Sequence, residues 1–181
     1  MGYFEPSIDI LQVAFGCDGG KVLLFRTDEL SYSCGSILQP FRVVNVNAEI
    51  KDLIAVEWAE NTKQSYLVIA SAVNVQLYDV SKNISLFHRS IEDGINTIQI
   101  GCVGEKTTPW LLCGGQSSFT GFDPSGIEVY WNVASDTVNA ICFADLTSKS
   151  YDQIILGTAD NEITLFDCEE LIDSRNGQQL I

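Results

Sequence analysis

The chain has 181 residues, with 24 Asp and Glu against 10 Lys and Arg, a formal net charge of −14, and 46% hydrophobic against 19% charged residues. This is a globular composition rather than a disordered one, in a chain long enough to bury a substantial core. Its negative charge repels phosphate backbones and anionic lipid, and no run of about 18 apolar residues is present, so neither nucleic acid nor membrane insertion is expected.

The opening MGYFEPSIDI has no basic region and no apolar region, so no secretory signal is expected and residues 1–8 read as a tail. In residues 12–25, QVAFGCDGGKVLLF, an apolar run closes on Gly16 and a second run ends at Phe25. Between them Asp18-Gly19-Gly20 offers the positive φ of a tight hairpin. This unit, about 9–46, lacks a first strand and needs a longer outer loop around residues 28–48.

The next unit, about 47–92, has a strand at Ile50–Ala55, a hairpin in YLVIASAVNVQLY (residues 66–78) and an outer strand at Ile84–Ser90. The third, about 93–135, repeats this with Ile95–Ile100, WLLCGGQSSFTGF (residues 110–122) and Ile127–Val133, the last entered through the turn residues Asp123-Pro124-Ser125-Gly126. The fourth, about 136–175, has Val138–Phe143, QIILGTADNEITLF (residues 153–166) with Ala159-Asp160-Asn161 at its turn, and a weaker strand near Leu171. Residues 176–181 read as a second tail.

The small residues Gly16, Ala70, Gly114 and Gly157 stand 54, 44 and 43 positions apart. A four-stranded unit of about 40–45 residues is the signature of a propeller blade. No stretch of 11 residues keeps a helical period, and a β-sandwich gives no reason for so regular a repeat. The expected fold is all-β: a partial β-propeller of about three four-stranded blades plus an incomplete one. Its open ends are expected to bare Val13, Phe15, Val22 and Leu24 on one side and Ile155, Ile163 and Leu165 on the other. Leaving five such side chains half wet forfeits on the order of 4–7 kcal/mol, so the isolated chain is expected to self-associate or to need a partner.

Chemistry is scarce in the pattern. The six cysteines form no Cys-x-x-Cys pair and His88 is the only histidine, so no zinc site is expected and the thiols read as free, in a reducing, intracellular setting. A serine or cysteine nucleophile needs a base within reach, and His88 falls beside Arg89 on an outer strand. Gly19-Gly20 and Gly114-Gly115 lie at strand turns with no helix to follow, unlike phosphate-cradling loops. The carboxylate pairs Asp160 with Glu162 and Glu169 with Glu170 read as solvated, the Asn83-Ile84-Ser85 acceptor triplet as chance, and Trp58, Trp110 and Trp131 as blade packing. No catalytic residue, cofactor, metal or small-molecule substrate is expected, and a propeller hydrolase or lyase ranks behind a binding scaffold.

From Ile95 to about Glu170 the chain resembles the amino-terminal propeller of the Bardet–Biedl syndrome protein 2 family. The pieces that carry the resemblance are Ile95-Asn96-Thr97-Ile98, Pro109 through Gly115, Gly121-Phe122, Tyr130-Trp131, Asp136-Thr137-Val138-Asn139 and Ile154 through Asp160, with Gly20-Lys21-Val22 and Leu77-Tyr78-Asp79-Val80 weaker. Members of that family are subunits of the BBSome, a coat-like complex that carries membrane cargo in and out of cilia, and continue past the propeller into a coiled coil and further domains. The resemblance therefore implies other BBSome-like subunits as partners, and the cytoplasm, the cilium with its membrane (peripherally) and the basal body as locations. A generic propeller adaptor of another complex is the alternative. The family's calcium-type aspartate loop corresponds here to Asp145-Leu146-Thr147-Ser148-Lys149-Ser150-Tyr151-Asp152, too poor in alternating oxygen ligands for calcium to be expected.

Overall fold

The computed structural model describes residues 1–5, 7–31, 38–58, 64–104, 108–167 and 170–176, with Leu30, Ser31 and residues 170–176 described as backbone only. It divides into two compact units, Met1–Ser90 and Ile91–Ile181, each holding two antiparallel sheets. Among the described residues three sheets have four strands and one has three, the blades of a partial β-propeller.

In the first unit, β1 (Gln12–Cys17), β2 (Lys21–Arg26) and β3 (Arg42–Asn45) form the three-stranded blade. A five-residue helix, α1 (Thr27–Ser31), follows β2 where a plain loop is expected from the sequence. Its first turn carries Asp28 and Glu29, the charge a helix N-terminus favours, and Thr27 anchors it through an Oγ1 bond to the Leu11 carbonyl of 2.9 Å. The second blade comprises β4 (Ile50–Val56), β5 (Tyr66–Ser71), β6 (Asn74–Asp79) and β7 (Ile84–Ser90), in that spatial order.

The second unit repeats the four-stranded pattern. β8 (Thr97–Gly101), β9 (Trp110–Gly114), β10 (Ser118–Phe122) and β11 (Glu128–Val133) make one blade, with β11 outermost. β12 (Val138–Ala144), β13 (Gln153–Thr158), β14 (Glu162–Asp167) and β15 (Glu170–Asn176) make the other. The weak strand near Leu171 is thus the full outer strand β15.

Hairpin geometry explains two of the sequence signals. The β1–β2 turn closes with a Gly20 N–H to Cys17 carbonyl bond of 3.0 Å and a Gly20 φ of 70°. The β13–β14 turn has the same shape, with Asn161 at φ 66° and its N–H bonded to the Thr158 carbonyl at 3.2 Å. Asparagine tolerates the left-handed region better than other non-glycine residues, so it stands in for the glycine.

The repeated small residues have a packing cause. A Cβ added to Gly16 would lie 3.1 Å from Ile50 Cγ2 and Leu53 Cδ1, and one added to Gly114 would lie 2.5 Å from Val138 Cγ1. In each unit the glycine of one blade thus receives the first strand of the next. Around that contact, Phe4, Val22, Leu24 and Val44 bury against Leu67, Ile69 and Val80 in the first unit. In the second, Trp110, Leu112, Phe119 and Tyr130 bury against Val138, Ile141, Ile154, Leu156 and Phe166, with the Phe119 and Phe166 rings 5.0 Å apart.

Two expectations are corrected here. Residues 1–8 are not a loose tail: Gly2 pairs with Gln12, Phe4 is fully buried, and Glu5 Oε2 lies 3.0 Å from Arg26 Nη2. Nor do Val22 and Leu24 share an open face with Val13 and Phe15. Register pairs Val13 with Phe25 and Phe15 with Leu23, while Ala14 faces Leu24 and Gly16 faces Val22, so the pleat sends the two sets to opposite faces. Val22 and Leu24 are wholly buried in one cluster with Phe4, whereas Phe15 stays 49% exposed against the Phe25 ring. Ile155, Ile163 and Leu165 do share one face, with Ile163 43% exposed.

Asp93, in the turn between β7 and β8, holds the β9–β10 turn. Its carboxylate accepts the N–H groups of Ser117 (2.9 Å) and Ser118 (2.8 Å) and both serine hydroxyls. Burial pushes this carboxyl up, but the four donors outweigh it and hold it below the usual carboxylate range.

Two predictions follow from these contacts. Gly114→Ala should destabilise the chain by about 1–3 kcal/mol through overpacking on Val138. Gly157→Ala, whose new Cβ would come no nearer than 3.8 Å to Ala140, should gain about 0.4–1 kcal/mol. Urea denaturation of the two variants checks the contrast, and equal effects would contradict the packing account. For Asp93, a depressed folded-state pKa means stability that is present above the unfolded value of about 3.9 and is lost as pH falls through the folded value. Asp93→Asn should therefore cost about 1–3 kcal/mol at pH 7 and much less at pH 2. An equal loss at both pH values would show that the charge is not what matters.

Candidate interaction surface

Surface features concentrate on the outer strands, where a blade's last strand has a neighbour on one side only. Along β11 the inward residue Tyr130 is buried, its ring 5.6 Å from Trp110 and 5.5 Å from Phe119. The residues between point outward: Val129 is 39% exposed, Trp131 57% and Val133 56%, with Ile127 just ahead of the strand at 60%. β11 pairs through Thr120 with Trp131 and Ser118 with Val133, and both partners on β10 are buried. Trp131 is therefore not the blade-packing residue expected from sequence, whereas Trp110 is. Trp58 is half-buried.

β7 has a smaller outward pair, Ile84 and Leu86, but continues into His88 and Arg89. His88 lies exposed on that outer strand, as expected, and borders a shallow groove of about 90 Å³ with Asn45, Ser71, Asn74 and Gln76. The Ser71 hydroxyl is committed to its own turn, donating to the Asn74 carbonyl at 3.1 Å and accepting the Asn74 N–H at 3.2 Å. The amide side chains of this groove offer hydrogen bonds.

The aspartates that end the hairpins organise turns. Asp79 Oδ1 accepts the Ser81 hydroxyl at 2.7 Å and the Lys82 N–H at 3.0 Å, and Oδ2 lies 3.3 Å from Lys82 Nζ. Burial pushes this carboxyl up, yet Ser81 and Lys82 together bring it below its ordinary value. Asp123 repeats the arrangement, accepting the Ser125 hydroxyl at 2.7 Å and the N–H groups of Ser125 and Ile127 at 2.9 Å. The same Asp-x-Ser pattern thus recurs in both blades, as Asp79-Val80-Ser81 and Asp123-Pro124-Ser125, of which only the second reads as a turn from sequence. Asp160 Oδ1 likewise turns back to Thr158 Oγ1 (2.6 Å) and the Glu162 N–H (3.2 Å), so it caps its turn rather than facing an ion beside Glu162. Glu169 lies outside the described residues, as does the side chain of Glu170.

Two buried glutamines also escaped the sequence reading. Gln12 opens β1 and Gln153 opens β13, four residues before the small residue in each case. Gln12 Oε1 accepts the Phe4 N–H at 2.6 Å and its Nε2 donates to the Ile10 carbonyl at 2.7 Å. Gln153 does the same for the Leu146 N–H (2.9 Å) and the Tyr151 carbonyl (2.8 Å). In the 145–152 loop, Asp145 accepts the N–H groups of Lys149 (3.1 Å) and Ser150 (2.8 Å). Hydrogen bonding to Asp167 holds the Lys149 ammonium above its ordinary value. Cys113 is buried, which pushes its thiol pKa up and makes it unreactive. No described helix is long and apolar enough to cross a membrane.

A family profile described as "Ciliary BBSome complex subunit 2, N-terminal" matches residues 6–101. Among curated relatives, the BBSome complex member BBS2 of Danio rerio is 28% identical over 130 residues, covering 72% of this chain and 18% of that protein. The Mus musculus protein of the same name is 26% identical over 176 residues, covering 93% of this chain and 24% of that protein. Caenorhabditis elegans bbs-2 is 28% identical over 123 residues, covering 68% and 17%. The chain thus spans about a fifth of the length of the curated relatives it matches. Among solved structures, the crystal structure of BBS1N in complex with ARL6DN aligns at a TM-score of 0.62 with 9% identity, over 91% of this chain and 50% of that one. A chain in the crystal structure of the mitotic checkpoint complex aligns at 0.68 with 13% identity, over 92% and 50%. Such low identities speak to the fold alone. With the family profile spanning more than half of its residues, the chain belongs to the family of the amino-terminal region of ciliary BBSome complex subunit 2.

Proposed function

We propose that the chain is the propeller portion of a BBSome-like coat subunit, a non-enzymatic scaffold acting through protein–protein contacts in ciliary membrane-protein trafficking. The family match over residues 6–101 carries this reading. The mechanism is presentation: rigid stacked sheets hold outer strands and turns in fixed register, so that neighbouring subunits meet a preorganised surface. The buried glutamines and the turn aspartates supply that rigidity, because each fixes a loop through two or more hydrogen bonds. A surface of charge −14 favours basic faces of its neighbours and speeds their association at low salt. Partners on this reading are other BBSome-like subunits, and location follows the complex to the cilium and basal body.

Affinity purification of a tagged protein carrying this chain from ciliated cells should enrich other BBSome subunits. Recovery of none, from a protein shown to be folded, would overturn the proposal. We also infer that the 145–152 loop holds no calcium, since Asp145 is already engaged by two backbone N–H groups and Lys149 places a positive charge in the loop. Calorimetric titration should show no calcium binding tighter than millimolar. Tighter binding lost on Asp145→Ala would refute this.

A further inference from the structure

β11 differs from the other three outer strands in lacking any basic residue as well as in apolar content. β3 carries Arg42, β7 carries Arg89 and β15 carries Arg175, while β11 carries Glu128 and no basic residue. The deficit extends beyond the strand. Between Lys106 and Lys149 the chain has Asp123, Glu128, Asp136 and Asp145 and no lysine or arginine. Positive charge on an edge strand is a common guard against adventitious pairing. β11 lacks it, and also lacks proline.

The strand is also built to accept a neighbour. It is the last in its sheet, and in an antiparallel ladder alternate residues turn their backbone N–H and C=O groups away from the partner strand. Val133 is such a residue: its N–H turns away from β10 and is held by the Asn132 side-chain oxygen at 2.8 Å, a bond that an added strand would replace. The same alternation turns the backbone of Trp131 outward. Beside this edge stand the exposed side chains of Val129, Trp131 and Val133. A strand added here gains backbone bonds, and its alternate side chains fall next to Trp131 and Val133.

We propose that the β11 edge is a docking site for an extended segment of another polypeptide that alternates apolar with basic residues and adds to the blade as a fifth strand. Charge selects this occupant. A second copy of the chain would bring −14 against −14, whereas a lysine- or arginine-bearing strand meets the acidic stretch around β11. The proposal deepens the scaffold reading and rests on it only in taking the ligand to be a polypeptide.

The test uses the full chain and a synthetic probe, an acetylated and amidated seven-residue peptide Lys-Val-Lys-Ile-Lys-Val-Lys. Titration followed by tryptophan fluorescence should give saturable binding with a blue shift that disappears in Trp131→Phe. Replacing the peptide lysines by glutamate, or methylating alternate backbone nitrogens, should each weaken binding at least tenfold. Val133→Lys and Glu128→Lys should weaken it at least fivefold with an unchanged thermal midpoint, both positions being exposed. Equal binding of the N-methylated peptide would show mere charge attraction and overturn strand addition. Equal binding of the glutamate peptide, a shift that survives Trp131→Phe, or no binding at all would overturn the site. None of these results bears on whether the parent protein purifies with BBSome subunits, so the two readings fail separately.

Discussion

The rest of the structure depends on one close approach, the meeting of a glycine near the end of a strand of one blade (β1 or β9) with the branched side chains of the next blade's first strand. Packed sheets sit about 10 Å apart, which leaves room for interdigitated side chains and little to spare. At Gly16 and Gly114 the neighbouring aliphatic residues occupy the space a Cβ would need. Absence of a side chain at that point lets Ile50 and Leu53 in one unit, and Val138 and Ile141 in the other, reach into the preceding blade. The apolar cluster of each unit then closes around them. Gly157, with Ala140 at 3.8 Å, shows the same position where the restriction is relaxed.

This constraint explains why so much of the fold was legible in the sequence. A repeated small residue, a turn and a terminal aromatic are direct traces of strand, hairpin and packing face, and their spacing reported the blades almost strand for strand. Ile84–Ser90 emerges with the expected bounds, and Ile127–Val133 differs by one residue. What alternation cannot report is which of two faces is covered. Val13 with Phe15, and Val22 with Leu24, have the same apolar character, and only the pairing of Phe15 with Leu23 and Gly16 with Val22 separates them. Phe4 was illegible too, because a lone aromatic in a short polar stretch gives no periodicity, yet it is buried in one cluster with Val22 and Leu24.

The candidate surface was less legible than the fold. Trp131 adjoins Tyr130 in the sequence, and two adjacent aromatics on a strand must point to opposite faces, but nothing local says which one is inward. Tyr130 wins that place because Trp110 and Phe119 stand within 5.6 Å of it across the sheet. The buried glutamines left no trace either, since a glutamine at the head of a strand looks like an ordinary boundary residue. Their role appears only once Phe4 and Ile10, or Leu146 and Tyr151, are seen to converge on one side chain.

Polar groups and apolar groups divide the work between stability and recognition. Asp79, Asp93, Asp123 and Asp160 face inward to turns, where each carboxylate collects the N–H and O–H donors that a tight loop leaves unpaired. Asp93 and Asp123, tied to their turns in this way, can rigidify the surface with less freedom to pair across an interface. The exposed apolar side chains of β11 take the opposite part. A Trp131 more than half exposed gains only part of its burial from this fold, and covering the rest by a partner would gain on the order of 1–2 kcal/mol. On the proposed reading, a blade edge with Glu128 beside the exposed Val129, Trp131 and Val133 is thus suited to contacts whose specificity comes from charge and whose strength comes from apolar burial.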